Sequence, residues 1–165
     1  MQQLHEAIGE AVNLGIRHED EIIYVDRTSS GRSLVRVVYL VGGRAPLHLT
    51  SVGKLFLAAD SASDVRAYAR RTGLPGKTPH SLTRLDALDK ELDKIRRHEV
   101  AFDNEEAEIG LRCIAAPIRN DEGQLVAGLS VSAPSDRHDP DWATTIKATA
   151  DKIARALGHQ APPHP

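Results

Sequence analysis

Leu111-Arg112-Cys113-Ile114-Ala115-Ala116-Pro117-Ile118, then Asn120-Asp121-Glu122-Gly123, then Leu125-Val126-Ala127-Gly128-Leu129-Ser130-Val131-Ser132-Ala133: two apolar runs around a turn-forming tetrapeptide describe a β-hairpin. If Asn120 pairs with Gly123, Cys113 falls opposite Ser130, Leu111 opposite Ser132 and Ala115 opposite Gly128, and these side chains share one face. Ile114, Ala116, Ile118, Leu125, Ala127 and Leu129 occupy the other face, an apolar layer suited to a core. A thiol, two hydroxyls, an alanine and a glycine leave volume on the first face and offer groups that orient a small molecule. The same short residues also suit a crowded helix-on-sheet contact or a solvated sheet face.

Working outward, Val12–Ile16 and Ile22–Val25 read as a hairpin across His18-Glu19-Asp20-Glu21, preceded by a short helix within residues 2–11. Leu34–Leu40 is a third β-branched run closed by Gly42-Gly43. Thr50 and Ser51 suit the start of a helix through Ala59. A second helix, about Ala62 to Arg71, stops at Gly73. Leu85, Leu88, Leu92 and Ile95 recur at helical spacing, with Thr83 three residues before Asp86 as an approximate capping box. In the last helix Trp142, Ile146, Ala150, Ile153 and Leu157 form one stripe, with Asp139 as N-cap, Pro140 in the first position and Gly158 as the stop. Strands in runs, rather than alternating singly with helices, predict an α+β fold with an antiparallel sheet. Residues 159–165 read as a tail outside the fold.

The 165 residues fit one domain of the usual size, about 150. A net charge of −2 gives the chain no overall positive field of the kind that phosphate contact requires. The single cysteine excludes an internal disulfide, no Cys/His cluster indicates a metal, and no cofactor motif is present. No apolar run approaches the roughly 18 residues of a membrane span, and the reducing, cytoplasmic setting fits best.

Catalytic arrangements fare poorly. Cys113 needs a neighbouring histidine and Ser51 or Ser130 a His–Asp relay, yet the eight histidines are scattered and no Gly-x-Ser-x-Gly elbow occurs. His98-Glu99 lacks the second histidine of a zinc-protease motif, and Gly42-Gly43-Arg44 and Gly53-Lys54 lack the Walker spacing. Asp103-Asn104-Glu105-Glu106-Ala107-Glu108 reads as a solvated acidic loop or as paired carboxylates, with Asp103 alone near enough to the strand to project over the polar face.

Two blocks, Gly43-Arg44-Ala45-Pro46-Leu47-His48-Leu49-Thr50-Ser51-Val52-Gly53-Lys54-Leu55-Phe56-Leu57-Ala58 and Phe102-Asp103-Asn104-Glu105-Glu106 with Gly110-Leu111-Arg112-Cys113-Ile114-Ala115-Ala116-Pro117-Ile118, carry a family resemblance that Leu129-Ser130-Val131-Ser132-Ala133-Pro134 continues. Over residues 1–158 the chain resembles the effector-binding domain of IclR-type bacterial transcription regulators. That resemblance implies a GAF- or profilin-like curved antiparallel sheet flanked by helices, no catalysis, and a small-molecule effector, with a carboxylate suited to a helix start beside hydroxyls. It implies ligand contacts at Ser51, Val52, Asp103, Leu111, Cys113, Ser130 and Ser132, with Leu34 and Val37 as an apolar wall. It further implies self-association to a dimer or tetramer, and DNA binding only through an N-terminal winged helix-turn-helix for which there is no room before Val12. A stand-alone GAF-like enzyme using Cys113, and an oligomerisation module without ligand, are the competing expectations.

Overall fold

The computed structural model describes residues 1–30 and 40–160. In chain order these are α1 (Gln2–Ile8), β1 (Ala11–His18), β2 (Glu21–Thr28), β3 (Arg44–Pro46), a single 3-10 turn at Leu47–Leu49, α2 (Ser51–Ala59), α3 (Ala62–Thr72), α4 (Leu85–His98), β4 (Ala101–Asn104), β5 (Leu111–Arg119), β6 (Leu125–Pro134) and α5 (Trp142–Ala156). The strands form one antiparallel sheet in the order β3-β2-β1-β6-β5-β4. The α+β, GAF/profilin-like reading therefore holds, with two short edge strands, β3 and β4, that the sequence reading did not separate. The expected strand Leu34–Leu40 lies, apart from Leu40, outside the described residues.

Helices cover both faces. On one, Val52, Leu55 and Phe56 of α2, Val65 and Tyr68 of α3, and Leu88, Leu92 and Ile95 of α4 pack with Ile22, Tyr24, Cys113 and Ala115 of the sheet. On the other, Leu4 of α1 and Ile146, Ala150 and Ala154 of α5 pack on Val12, Ile114, Ile118, Leu129 and Val131. Removing these side chains from water is the main driving force for layering helices on a sheet. Local signals set several boundaries as expected: Thr50 Oγ1 accepts the Gly53 N–H at 3.0 Å to cap α2, and Gly73, at φ 72°, ends α3. Two differ. Arg84, not Thr83, precedes α4 and no side chain caps it, while α5 begins at Trp142, with Asp139 Oδ1 accepting the Asp141 N–H just ahead of it.

The β5–β6 register is offset from the one counted from the turn. The Asn120 N–H donates to Gln124 O, while the Gly123 N–H bonds Asn120 O inside the turn, so the ladder closes one residue later than counted, and an irregularity at Ile118/Arg119 adds a further residue. Cys113 consequently pairs with Ser132, Ala115 with Ser130 and Pro117 with Gly128. The offset is two residues, so the small residues keep their common face. Leu125, on the turn side of the irregularity, packs instead with the α2 cluster.

Candidate functional site

Reading the register across four strands aligns Ala11, Ser132, Cys113 and Asp103 in one rung of the sheet, and Asn13, Ser130, Ala115 and Ala101 in the next. Both rungs face α2 and are sealed from solvent: Asn13, Ser132, Cys113 and Asp103 are at most 2 % exposed. Asn13 Nδ2 donates to Ser132 Oγ at 3.0 Å, and Ser132 Oγ lies 3.2 Å from Cys113 Sγ, forming a polar strip across an otherwise apolar interior. Ser51 and Val52, in the first turn of α2, are buried over the same face, and Leu111 lies buried at the start of β5. The first-turn N–H groups of Ser51 and Val52 have no place in the helix's own hydrogen-bond ladder. Leu34 and Val37 lie outside the described residues.

The strip is under-satisfied. Asn13 Oδ1 and Asp103 Oδ2 are buried without a hydrogen-bond partner, as is Glu106 Oε2 close by. A buried acceptor left in this way costs about 1–3 kcal/mol, which in a folded chain marks a place arranged for something other than stability. Asp103 Oδ1 is satisfied by the N–H groups of Glu106 at 2.8 Å and Ala107 at 3.4 Å. Burial pushes the Asp103 carboxyl up to about 7, the Glu106 carboxylate adding to the rise while Lys54 opposes it.

Sequence reasoning missed what frames the strip. Lys54 of α2 is fully buried and pairs with Glu106 Oε1 at 2.6 Å, so the acidic segment is anchored inside the fold at Asp103 and Glu106 rather than solvated throughout. Burial still raises Glu106, with the Lys54 ammonium acting against it. Tyr24 joins the same face through an irregularity in β1–β2 that pairs it with Gly15; burial, then Cys113 and Asp103, drive its hydroxyl well above the usual range. Arg27, paired with Asn13, puts a cation on this face one strand further out, where burial lowers its pKa. The Ala11, Asn13, Gly15 alternation was a legible signal for one small polar strand face, whereas Lys54 and Glu106 stand 52 residues apart with no spacing rule to join them.

Elsewhere the described residues offer less chemistry. The cleft of about 510 Å³ between α1 and α5 is lined mainly by apolar and small residues such as Leu4, Ala7, Ala148 and Ile153. No group of three or more His, Cys, Asp or Glu suited to a metal occurs among the described residues.

The family model described as bacterial transcriptional regulator IclR C-terminal matches residues 1–159. The chain belongs to this IclR C-terminal family. It is 34 % identical to the HTH-type transcriptional repressor AllR of Escherichia coli K12 over 99 % of its own length and 61 % of that protein's. The C-terminal domain of the E. coli regulator KdgR superposes with a TM-score of 0.84 at 31 % identity, covering 96 % of this chain and 94 % of that one. A double-mutant PobR inducer-binding domain from Acinetobacter, solved with 3-hydroxybenzoic acid, superposes with a TM-score of 0.83 at 25 % identity, covering 92 % and 91 %. IclR C-terminal structures thus share this sheet and helix arrangement, and the chain spans about three fifths of the curated AllR relative.

Proposed function

We propose that this chain is the effector-sensing part of a bacterial transcription regulator, without catalytic activity. A small organic acid lodges between the first turn of α2 and the strip Asp103, Cys113, Ser130 and Ser132, with Ser51, Val52 and Leu111 against it and Leu34 and Val37 as an apolar wall. The single observation that carries this is the buried polar strip with its unpartnered acceptors. The IclR family membership, and a relative whose inducer-binding domain holds 3-hydroxybenzoic acid, support it. An acid group suits the α2 first turn because free N–H groups and the helix dipole favour negative charge there, and Arg27 adds a cation on that face.

Binding changes how copies of the domain associate, as dimer or tetramer, and so the spacing of attached DNA-binding heads. DNA contact is assigned to a segment outside these residues, since their net charge of −2 supplies no electrostatic footprint. A cytoplasmic setting fits this role, and among the described residues no helix is long and apolar enough to cross a membrane.

Calorimetric titration with small carboxylic acids, coupled to chromatography of the recovered acid, tests the proposal. Saturable binding with the acid returned unchanged is the expected outcome; chemical turnover, or the absence of binding across the series, contradicts it.

A further inference from the structure

His138 stands in the connection between β6 and α5, on the face of the sheet opposite the polar strip. Its ring makes edge contacts with Phe102 of β4 and with Trp142, the first residue of α5, at centroid distances of 6.5 and 6.1 Å. Phe102 and Trp142 in turn pack against the core beneath α5. Both imidazole nitrogens are buried, and neither has a hydrogen-bond partner. A neutral ring leaves one donor and one acceptor unpaired there; an imidazolium brings two N–H groups and a charge to a place without an acceptor. The charged groups around it do not relieve this. Arg112 of β5 is held by Glu105 at 3.3 Å and keeps a buried, unpartnered Nε, and α5 has no acid in its first turn. Burial first, and then the Arg112 guanidinium, hold the imidazole below its ordinary 6.5, while Asp139 and the histidine's own backbone favour the proton less strongly. The connection is anchored on one side only. Arg137 donates twice to Glu10, at 2.6 and 3.1 Å, whereas Asp139, Pro140 and Asp141 are exposed. α5 then starts without a side-chain cap, and only backbone bonds to the carbonyls of Asp139, Pro140 and Asp141 close its opening turn.

From this geometry we infer that His138 is an acid-released latch on the start of α5. Neutral, it fills the space beside Phe102 and Trp142 and seats the helix; protonated, it turns out to solvent, and the first turn of α5 loosens while the sheet and the α2 side stay in place. The latch therefore acts on the α1 and α5 layer, apart from the polar strip and whatever binds there. The released ring takes its proton at the ordinary 6.5 and the seated ring only at lower pH. The seated form is thus favoured above 6.5. Below it the released fraction grows about tenfold per pH unit, until the seated ring itself titrates.

Trp142 is the single tryptophan of the chain, so its emission reads the latch directly. Titrated from pH 8 down to pH 4.5, the wild type is expected to shift its emission to longer wavelength with a midpoint below 6.5, its far-UV circular dichroism staying native. Exchange of the Ile146 and Lys147 amides, which close the first turn of α5, should accelerate about tenfold per pH unit below 6.5 once the intrinsic pH dependence of exchange is divided out. His138→Phe keeps an aromatic ring without a titrating group, and both changes should vanish. His98→Gln, at the histidine that lines a groove with Ala143 and Thr144, should leave them in place. The imidazole C–H resonances of His138 give its pKa in the wild type without any variant, and are expected to titrate with the emission. Four results overturn the inference: a constant emission, a shift that persists in His138→Phe or disappears in His98→Gln, a His138 pKa at or above 6.5, and a far-UV signal that collapses together with the emission.

Discussion

Val52 rests directly on Gly128: a methyl carbon placed on Gly128 would stand 2.7 Å from Val52 Cγ1, closer than real side-chain contacts allow. Gly15, paired with Gly128 on the neighbouring strand, would bring its own methyl to 3.1 Å from the same atom. Two adjacent glycines thus let the start of α2 lie against the sheet, while Ser130 and Ser132, further along β6, keep their hydroxyls on the same face. Gly128→Ala forces the helix outward and is expected to cost about 1–3 kcal/mol, as overpacking does. Val52→Ala in the same chain should recover much of that loss in urea unfolding. Strictly additive losses would show that the contact does not seat the helix.

Lys54 and Glu106 test a different layer of the account. Lys54→Met leaves the Glu106 carboxylate buried without its cation, and a loss of about 3–5 kcal/mol is expected. Lys54→Met with Glu106→Leu removes both desolvation penalties and should be much nearer wild type. Equal destabilisation by the single and double variants would contradict the pairing.

Asp103 should make stability fall with pH. Its folded pKa of about 7 stands above the ordinary 3.8, so the stability contributed by its bound proton is fully present below about pH 4 and lost as pH rises through about 7. Asp103→Asn carries no such proton. Its unfolding free energy relative to wild type should therefore improve between pH 5 and pH 8, by up to about 3 kcal/mol on the size of the shift. A difference that stays constant across that range contradicts the buried, unpartnered carboxyl.

Much of this architecture was legible because each long element carries its own local signal. α4 and α5 announce themselves through 3.6-residue stripes, α2 through its Thr50-Ser51 start, α3 through its Gly73 stop, and the β5–β6 hairpin through two runs around a turn. Its register was not legible, since the closing pair at Asn120 and Gln124 and the irregularity beyond it are choices of turn geometry that composition does not dictate. The face assignment survived because the two effects together shift pairing by an even number, and Leu125 was misassigned because it lies between them. Of the buried strip, Cys113, Ser130, Ser132 and Asp103 were legible as one face from one hairpin and its entrance. Asn13, Tyr24 and Arg27 were missed because they reach the strip only once β1 pairs with β6, a contact between chain segments more than a hundred residues apart that no local rule announces.

The most direct measurement is calorimetric titration of one bound acid against the wild-type chain, Ser130→Leu and Ser132→Leu, with circular dichroism and melting curves showing that each variant is folded. Filling the strip with either leucine should abolish binding: the added volume occupies the ligand's place, and a lost hydrogen bond to a charged group costs a further 1.5–3 kcal/mol or so. Unchanged affinity in both folded variants would place the ligand elsewhere and contradict the account.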